Sequence, residues 1–310
     1  MSNAITENES QKGVKPSTLK RKLLRLGIAT VMLIATILIV RIVFPSQLER
    51  GAAALLAKHY SEAMTLLLPL AGEGVAGAEF GVGYMYANGL GVPKDNLSAV
   101  GFFRRAAEQG LPAAQHHLGN MYSLGLGVER DDKTAFEWML KSAAQGMRES
   151  QFNLGVMYQL GEGVAQSYEL AAKWYNEAAE QGDPQAQCNL AKLYLDGMGV
   201  PQDDNRAFNW FKKAADQETP YAQNAVGSLY SRGRGTTQND VTAIEWFRKA
   251  AAQNFLDAQK NLGIVYYWGK GTERSYSQAA FWLRKAAEQG DAQSQQYLEE
   301  MVAAGIISGV

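Results

Sequence analysis

Residues 113–148 read AAQHHLGNMYSLGLGVERDDKTAFEWMLKSAAQGMR, and a shift of 36 positions in either direction returns the same pattern. Tyr86, Tyr122, Tyr158, Tyr194, Tyr230 and Tyr266 keep that step, as do the glycine pairs that follow each of them, such as Gly89/Gly91, Gly125/Gly127 and Gly269/Gly271. A fixed period in the 20–50 residue range marks a repeat protein, in which stacked copies of a small unit share one continuous core. The stretch therefore decides the fold and directs attention to binding rather than to chemistry.

Within this unit, Leu118, Met121 and Tyr122 share one face of a helix running from about Ala113 to Leu124. Ala114 belongs to a small column, Ala78, Ala114, Ser150, Ala186, Ala222 and Ala258, that lets a neighbouring helix come close. Gly119 costs a helix about 1 kcal/mol, which implies that another backbone packs against it. Gly125 and Gly127 supply the left-handed turn that ends the helix. Asp131 follows in a column of good N-caps, Asp95, Asp131, Ser167, Asp203, Asn239 and Ser275. Ala135, Trp138, Met139, Ser142 and Ala143 then form one apolar stripe on a second helix. Gly146 ends it, with Gly110, Gly182, Asn254 and Gly290 in the same column. Glu218 breaks that column, so the fifth junction is expected to be looser or differently turned.

The phrase Ala-x-x-x-Leu-Gly-x-x-Tyr-x-x-Gly-x-Gly-Val followed by Ala-x-x-Trp-x-x-x-Ala-Ala resembles the Sel1-like repeat family. Ala186, Leu190, Tyr194, Gly197, Gly199, Val200, Ala207, Trp210, Ala214 and Ala215 carry it in one copy. Departures are Phe102 for Trp, Ala191 for Gly, and Thr236 and Thr272 for Val. The resemblance covers residues 77–292 as six repeats. It implies an all-α, right-handed α-solenoid of helix-turn-helix units serving as an adaptor or scaffold. Similar bacterial proteins often work in the envelope, some as immunity proteins. Residues 46–76 read as a shortened N-terminal capping pair, with Ala63, Leu66, Leu67 and Gly74 matching Ala99, Phe102, Phe103 and Gly110. Residues 293–310 read as a C-terminal cap and tail, because Glu299 occupies the glycine column and Val302 the tyrosine column.

The chain has 310 residues and a net charge of −1, but the charge is uneven. Residues 1–45 hold seven basic and two acidic groups, leaving the remainder at −6. An acidic body is a poor ligand for nucleic acid, whose affinity rests on neutralising phosphates. Residues 1–22 form a polar, basic tail, and 23–44 an apolar segment long enough for a membrane span of about 20 residues. Lys20, Arg21 and Lys22 precede it and Arg25 stands at its start, before the uncharged run 26–40, so the positive-inside rule holds the N-terminus in the cytoplasm. The expectation is a single-pass protein of a bacterial inner membrane with its repeats in the periplasm. The competing reading, a leader cleaved near Ala52-Ala53-Ala54, would cut into the first helix of the array.

No catalytic constellation stands out. Ser17-Thr18-Leu19-Lys20 matches a Ser-x-x-Lys signature but stands in the tail without companion motifs. The Gly-x-Gly pairs follow helices, not strands, and so read as turns rather than phosphate loops. His116 and His117 point about 100° apart on one helix and cannot chelate a metal together. Cys188, the only cysteine, reads as a half-buried filler. No cofactor and no metal are expected.

If the first helices line a concave face, as the resemblance implies, their non-core positions make a groove. The candidate partner-binding residues are Phe80, Tyr84, His116, Asn120, Phe152, Val156, Leu160, Lys192, Asp196, Arg232, Lys260, Ile264, Tyr267 and Trp268. Any one of them has the competing reading of packing between repeats. The function expected is a non-enzymatic scaffold binding a protein partner. The alternatives are an immunity protein neutralising a periplasmic toxin and a peptidoglycan-acting enzyme or glycan binder.

Overall fold

A computed structural model describes residues 46–308. The apolar segment 23–44 and the tail before it lie outside the described residues. Among the described residues, no helix is long and apolar enough to cross a membrane.

The described chain is helical throughout, in antiparallel pairs. α1 (Gln47–Leu56) and α2 (Tyr60–Gly72) precede six pairs: α3 (Ala76–Asn88) with α4 (Asn96–Glu108), α5 (Pro112–Leu124) with α6 (Asp132–Ala144), α7 (Arg148–Leu160) with α8 (Tyr168–Glu180), α9 (Pro184–Asp196) with α10 (Asp204–Asp216), α11 (Pro220–Arg232) with α12 (Asp240–Ala252), and α13 (Leu256–Trp268) with α14 (Tyr276–Glu288). A last helix, α15 (Ala292–Ala303), covers the end. The result is an all-α solenoid.

Each turn is fixed in the same way. The first glycine takes a left-handed conformation as C-cap, as at Gly125 with φ 64°. The chain then reaches the N-cap residue, whose backbone N–H donates to the carbonyl of the repeat's tyrosine, as from Asp131 to Tyr122 and from Ser167 to Tyr158. The N-cap side chain accepts from the helix it opens, Asp131 from Thr134 N at 3.0 Å. These bonds satisfy a carbonyl at the end of one helix and an N–H at the start of the next, which would otherwise be unpaired.

The two glycines of each turn do different work. A Cβ on Gly125 would meet nothing nearer than 3.5 Å, whereas one on Gly163 would overlap the Asp132 carbonyl of the repeat before. Gly127, Gly199 and Gly235 face Asn96, Tyr168 and Asp204 equally closely. The second glycine is therefore where one repeat's turn seats on the start of the preceding repeat's second helix. The mid-helix glycines answer chiefly to a large side chain of their own repeat, rather than to a backbone as expected. A Cβ on Gly155 would come within 2.5 Å of Tyr175 Cε1, and one on Gly119 within 3.0 Å of Met139 Cε.

A ladder of glutamines runs along the stack. Gln145 Nε2 donates to Gln115 Oε1 at 2.8 Å, Gln181 to Gln151 at 2.6 Å, Gln217 to Gln187 at 2.9 Å, Gln253 to Gln223 at 3.0 Å and Gln289 to Gln259 at 2.8 Å. The inner glutamines also reach helix-end carbonyls, Gln187 to Ala179 O at 3.0 Å. At the first rung Glu79 stands in for glutamine, accepting from Gln109 at 2.7 Å and from Arg105 at 2.6 Å. A buried carboxylate is tolerated there because both oxygens are paired.

The fifth junction is turned like the others, contrary to expectation. Glu218 adopts φ 62° and Asn254 φ 61°, the conformation that glycine holds elsewhere. Gln253 Nε2 still bonds Glu218 O, as Gln145 bonds Gly110 O. The packing around the junction overrides the reluctance of a side chain to enter that region.

Candidate functional site: the face of the first helices

The first helices of neighbouring repeats approach one another directly, as α7 and α9 do. Side chains join them across the repeats: Asn261 Nδ2 donates to Asn224 Oδ1 at 2.9 Å, and Lys260 bridges to Asp291 at 3.2 Å. On the second helices three tryptophans of one column each lie under a lysine. Lys141 sits 4.0 Å over Trp138, Lys213 3.9 Å over Trp210 and Lys249 4.0 Å over Trp246.

The candidate residues divide by column. The first position on each helix packs inward. His116 is buried, Cys188 likewise, and Phe80 and Phe152 are half-buried against Phe103 and Tyr175 at centroid distances of 5.8 and 5.9 Å. Lys260 is held by Asp257 and Asp291. Tyr84, Asn120, Val156 and Ile264, one turn on, are half-buried, while Lys192 is exposed over the Tyr221 ring at 4.7 Å. The position after another turn is open: Leu160 is 58% exposed and Trp268 66%, and Asp196 and Arg232 are exposed in the same column. Leu124, 67% exposed, belongs with them. Tyr267 is half-buried among Trp268, Tyr276 and Tyr297.

His116 sits in a closed chain of hydrogen bonds. Ser142 Oγ donates to Pro112 O at 2.8 Å and Ser150 Oγ to Ser142 Oγ at 2.7 Å. Ser150 must then accept from His116 Nδ1 at 2.9 Å, which leaves Nε2 to accept from Asn120 Nδ2 at 2.9 Å. The chain fixes a neutral ring. Burial, with His117 beside it, lowers its pKa to about 4. Burial likewise pushes the Cys188 thiol up to about 12, which leaves no thiolate for chemistry. Among the described residues, no group of His, Cys, Asp and Glu is placed to hold a metal ion.

Two cavities open between the first helices, each of about 160 Å³. One is lined by Ser228, Ser231, Arg232, Asn261, Ile264, Trp268 and Lys270. The other is lined by Asn120, Ser123, Leu124, Asn153, Val156 and Glu162, the same positions three periods earlier. The repeat thus builds one hollow and varies its lining, with Arg232 for Leu124 and Lys270 for Glu162. The sequence reading missed Lys270, Ser231 and Asn261. Lys270 had a signal: the residue between the two turn glycines changes from copy to copy, as Leu126, Glu162, Met198, Arg234 and Lys270.

Comparison with known proteins agrees with this architecture. The Sel1 repeat model matches residues 76–111, 112–147, 148–183, 184–218, 220–255 and 256–291. A protective antigen of uropathogenic Escherichia coli that displays an SLR fold superposes with a TM-score of 0.78 at 34% identity, over 82% of this chain and 56% of its own. This chain thus spans little more than half of that antigen. A Sel1 repeat protein of Oxalobacter formigenes superposes with a TM-score of 0.69 at 31% identity, over 77% of this chain and 96% of its own. An immunity protein of Pseudomonas aeruginosa aligns with a TM-score of 0.39 at 21% identity, over 69% of this chain and 81% of its own, too loosely to carry a functional argument. Among curated proteins nothing matches. The chain belongs to the Sel1 repeat family.

Proposed function

We propose that the protein is a non-catalytic scaffold of the bacterial envelope that binds another protein along the face of its first helices. The observation that carries this reading is the open column Leu124, Leu160 and Trp268, large apolar side chains left exposed at one position of the repeat. Single exposed apolar residues need no explanation, but a periodic row beside two cavities is the usual mark of an interface. Membership of the Sel1 repeat family suits the chain to protein binding. The envelope assignment rests on sequence: an apolar segment at 23–44 with three basic residues just before it and Arg25 at its start, which would anchor the chain and export the repeats.

The test is to express the full chain with an affinity tag in a Gram-negative host, crosslink intact cells and identify what co-purifies. A stoichiometric partner that is lost with Trp268→Ala or Leu160→Arg supports the reading. A partner retained by both folded variants removes it. Phe152, half-buried against Tyr175, is a poor choice of variant, because its loss would disturb the core.

A further inference from the structure

We infer that the hollow between α11 and α13 recognises a carboxylate, carried by an extended segment of the partner with an apolar side chain beside it. This rests on the binding face proposed above and specifies its chemistry. Arg232 stands at the mouth of the hollow, exposed, with no ion pair or hydrogen bond among the described residues. Its two cationic neighbours are already balanced. Arg234 is tied to Asp204 at 2.9 Å and Lys270 to Asp240 at 3.3 Å, while Lys270 also reaches Ser231 Oγ at 2.9 Å. Among the described residues, Arg232 is therefore the one cation of the hollow left without a counter-ion. Its planar fork suits a carboxylate, which it can bind through two parallel hydrogen bonds.

Trp268 is the second element. The same hollow places its exposed indole beside Arg232, with Ile264 and Val265 on the wall. Tryptophan and arginine together are the side chains most often found to dominate interface energies. An apolar residue next to the acid would cover the indole and dry the ion pair. Asp196, one period before Arg232 in the same column, is exposed and forms no direct ion pair among the described residues; Arg234 feels its charge but is bound to Asp204. Neighbouring helices pack about 8–10 Å apart, and an extended chain advances about 3.3 Å per residue. A basic residue about three positions from the acid would thus face Asp196. Three repeats away, the equivalent hollow presents Leu124 and Glu162, so the face has a direction.

The test uses a displayed library of random peptides of about 12 residues, long enough to span the two hollows, selected on the purified full chain. Enriched peptides should carry Asp or Glu beside an aliphatic or aromatic residue. Synthetic versions should lose at least about tenfold in affinity for Arg232→Glu. A peptide with its acid changed to lysine should recover binding to that variant. Arg232 has no partner among the described residues, so the variant should stay folded and melt only slightly below the parent, for reversing a charge in the last turn of its helix, which a melting curve checks. Enriched peptides without acids, or ones that bind Arg232→Glu as tightly as the parent, overturn the inference. If those same peptides are lost with Trp268→Ala or Leu160→Arg, the binding face survives; if neither variant matters, the face itself fails. An empty selection also overturns the inference, because the segment proposed is a linear one, and leaves the face to the co-purification experiment.

Discussion

Replacing Gly163 with alanine should cost clearly more than replacing Gly146, although both glycines have positive φ, 69° and 86°. The left-handed conformation penalises alanine at either site by about 1–2 kcal/mol, partly offset because alanine has less freedom to lose on folding. At Gly146 nothing lies within 4 Å of the new methyl group, so the conformational cost is the whole cost. At Gly163 the methyl group would overlap the carbonyl of Asp132, a backbone atom at the start of the preceding repeat's second helix. Relief requires the two repeats to move apart, and overpacking of that kind costs about 1–3 kcal/mol more. The assay is urea unfolding of both variants followed by far-UV circular dichroism, compared at equal slope so that the midpoint shift reads stability. Equal costs, within about 0.5 kcal/mol, would refute the claim that the second glycine seats one repeat upon the next. Because that seating sets the spacing of the first helices, Gly163→Ala should also weaken partner binding while Gly146→Ala leaves it unchanged.

Glu218→Gly should stabilise the chain by about 1 kcal/mol, since it relieves a left-handed glutamate without losing a side-chain contact; a lower urea midpoint would show that the junction tolerates glutamate for another reason. Stability should also fall as pH drops from 6.5 toward 4. Above that window His116 is neutral folded or unfolded and contributes nothing. Within it the unfolded chain takes up a proton that the buried ring, with its pKa lowered to about 4, refuses. The loss approaches roughly 3 kcal/mol at the acid end. His117, whose pKa burial also lowers, adds in the same direction. His116→Gln should flatten the profile of urea midpoint against pH, and an unchanged slope would assign the effect elsewhere. Cys188 should resist a thiol-specific disulfide reagent at pH 8 until the chain is unfolded; rapid labelling of the native protein would contradict its burial.

The repeat, its turns and its caps were legible because each rests on local chemistry. A glycine that must be left-handed and an N-cap that must accept a hydrogen bond recur at one spacing, and Gly125 and Asp131 adopt those roles. The glutamine ladder was not legible. Both glutamine columns keep the 36-residue period, but no spacing says that a residue of one, such as Gln115, meets one 30 positions on, Gln145, and glutamine by itself reads as surface. The proposed binding face could be drawn from the sequence as a set of variable columns, but not its depth. Which column faces outward depends on how far neighbouring helices overlap, so Phe152 sank against Tyr175 of its own repeat and His116 against Ser150 of the next, while Leu160 and Trp268 stayed open. His116 was hidden for a further reason: its neutral state depends on Ser150 and Ser142, residues of two other helices.

The central claim is that the partner lies against the first helices, and site-specific photocrosslinking in living cells tests it most directly. A photoreactive amino acid would replace Leu160 or Trp268 on that face in one set of cells. In another it would replace Lys133 or Glu245, exposed on the second helices. The account predicts a discrete protein adduct from the first pair and none from the second. Adducts from Lys133 or Glu245 alone would place the partner on the opposite face and contradict it.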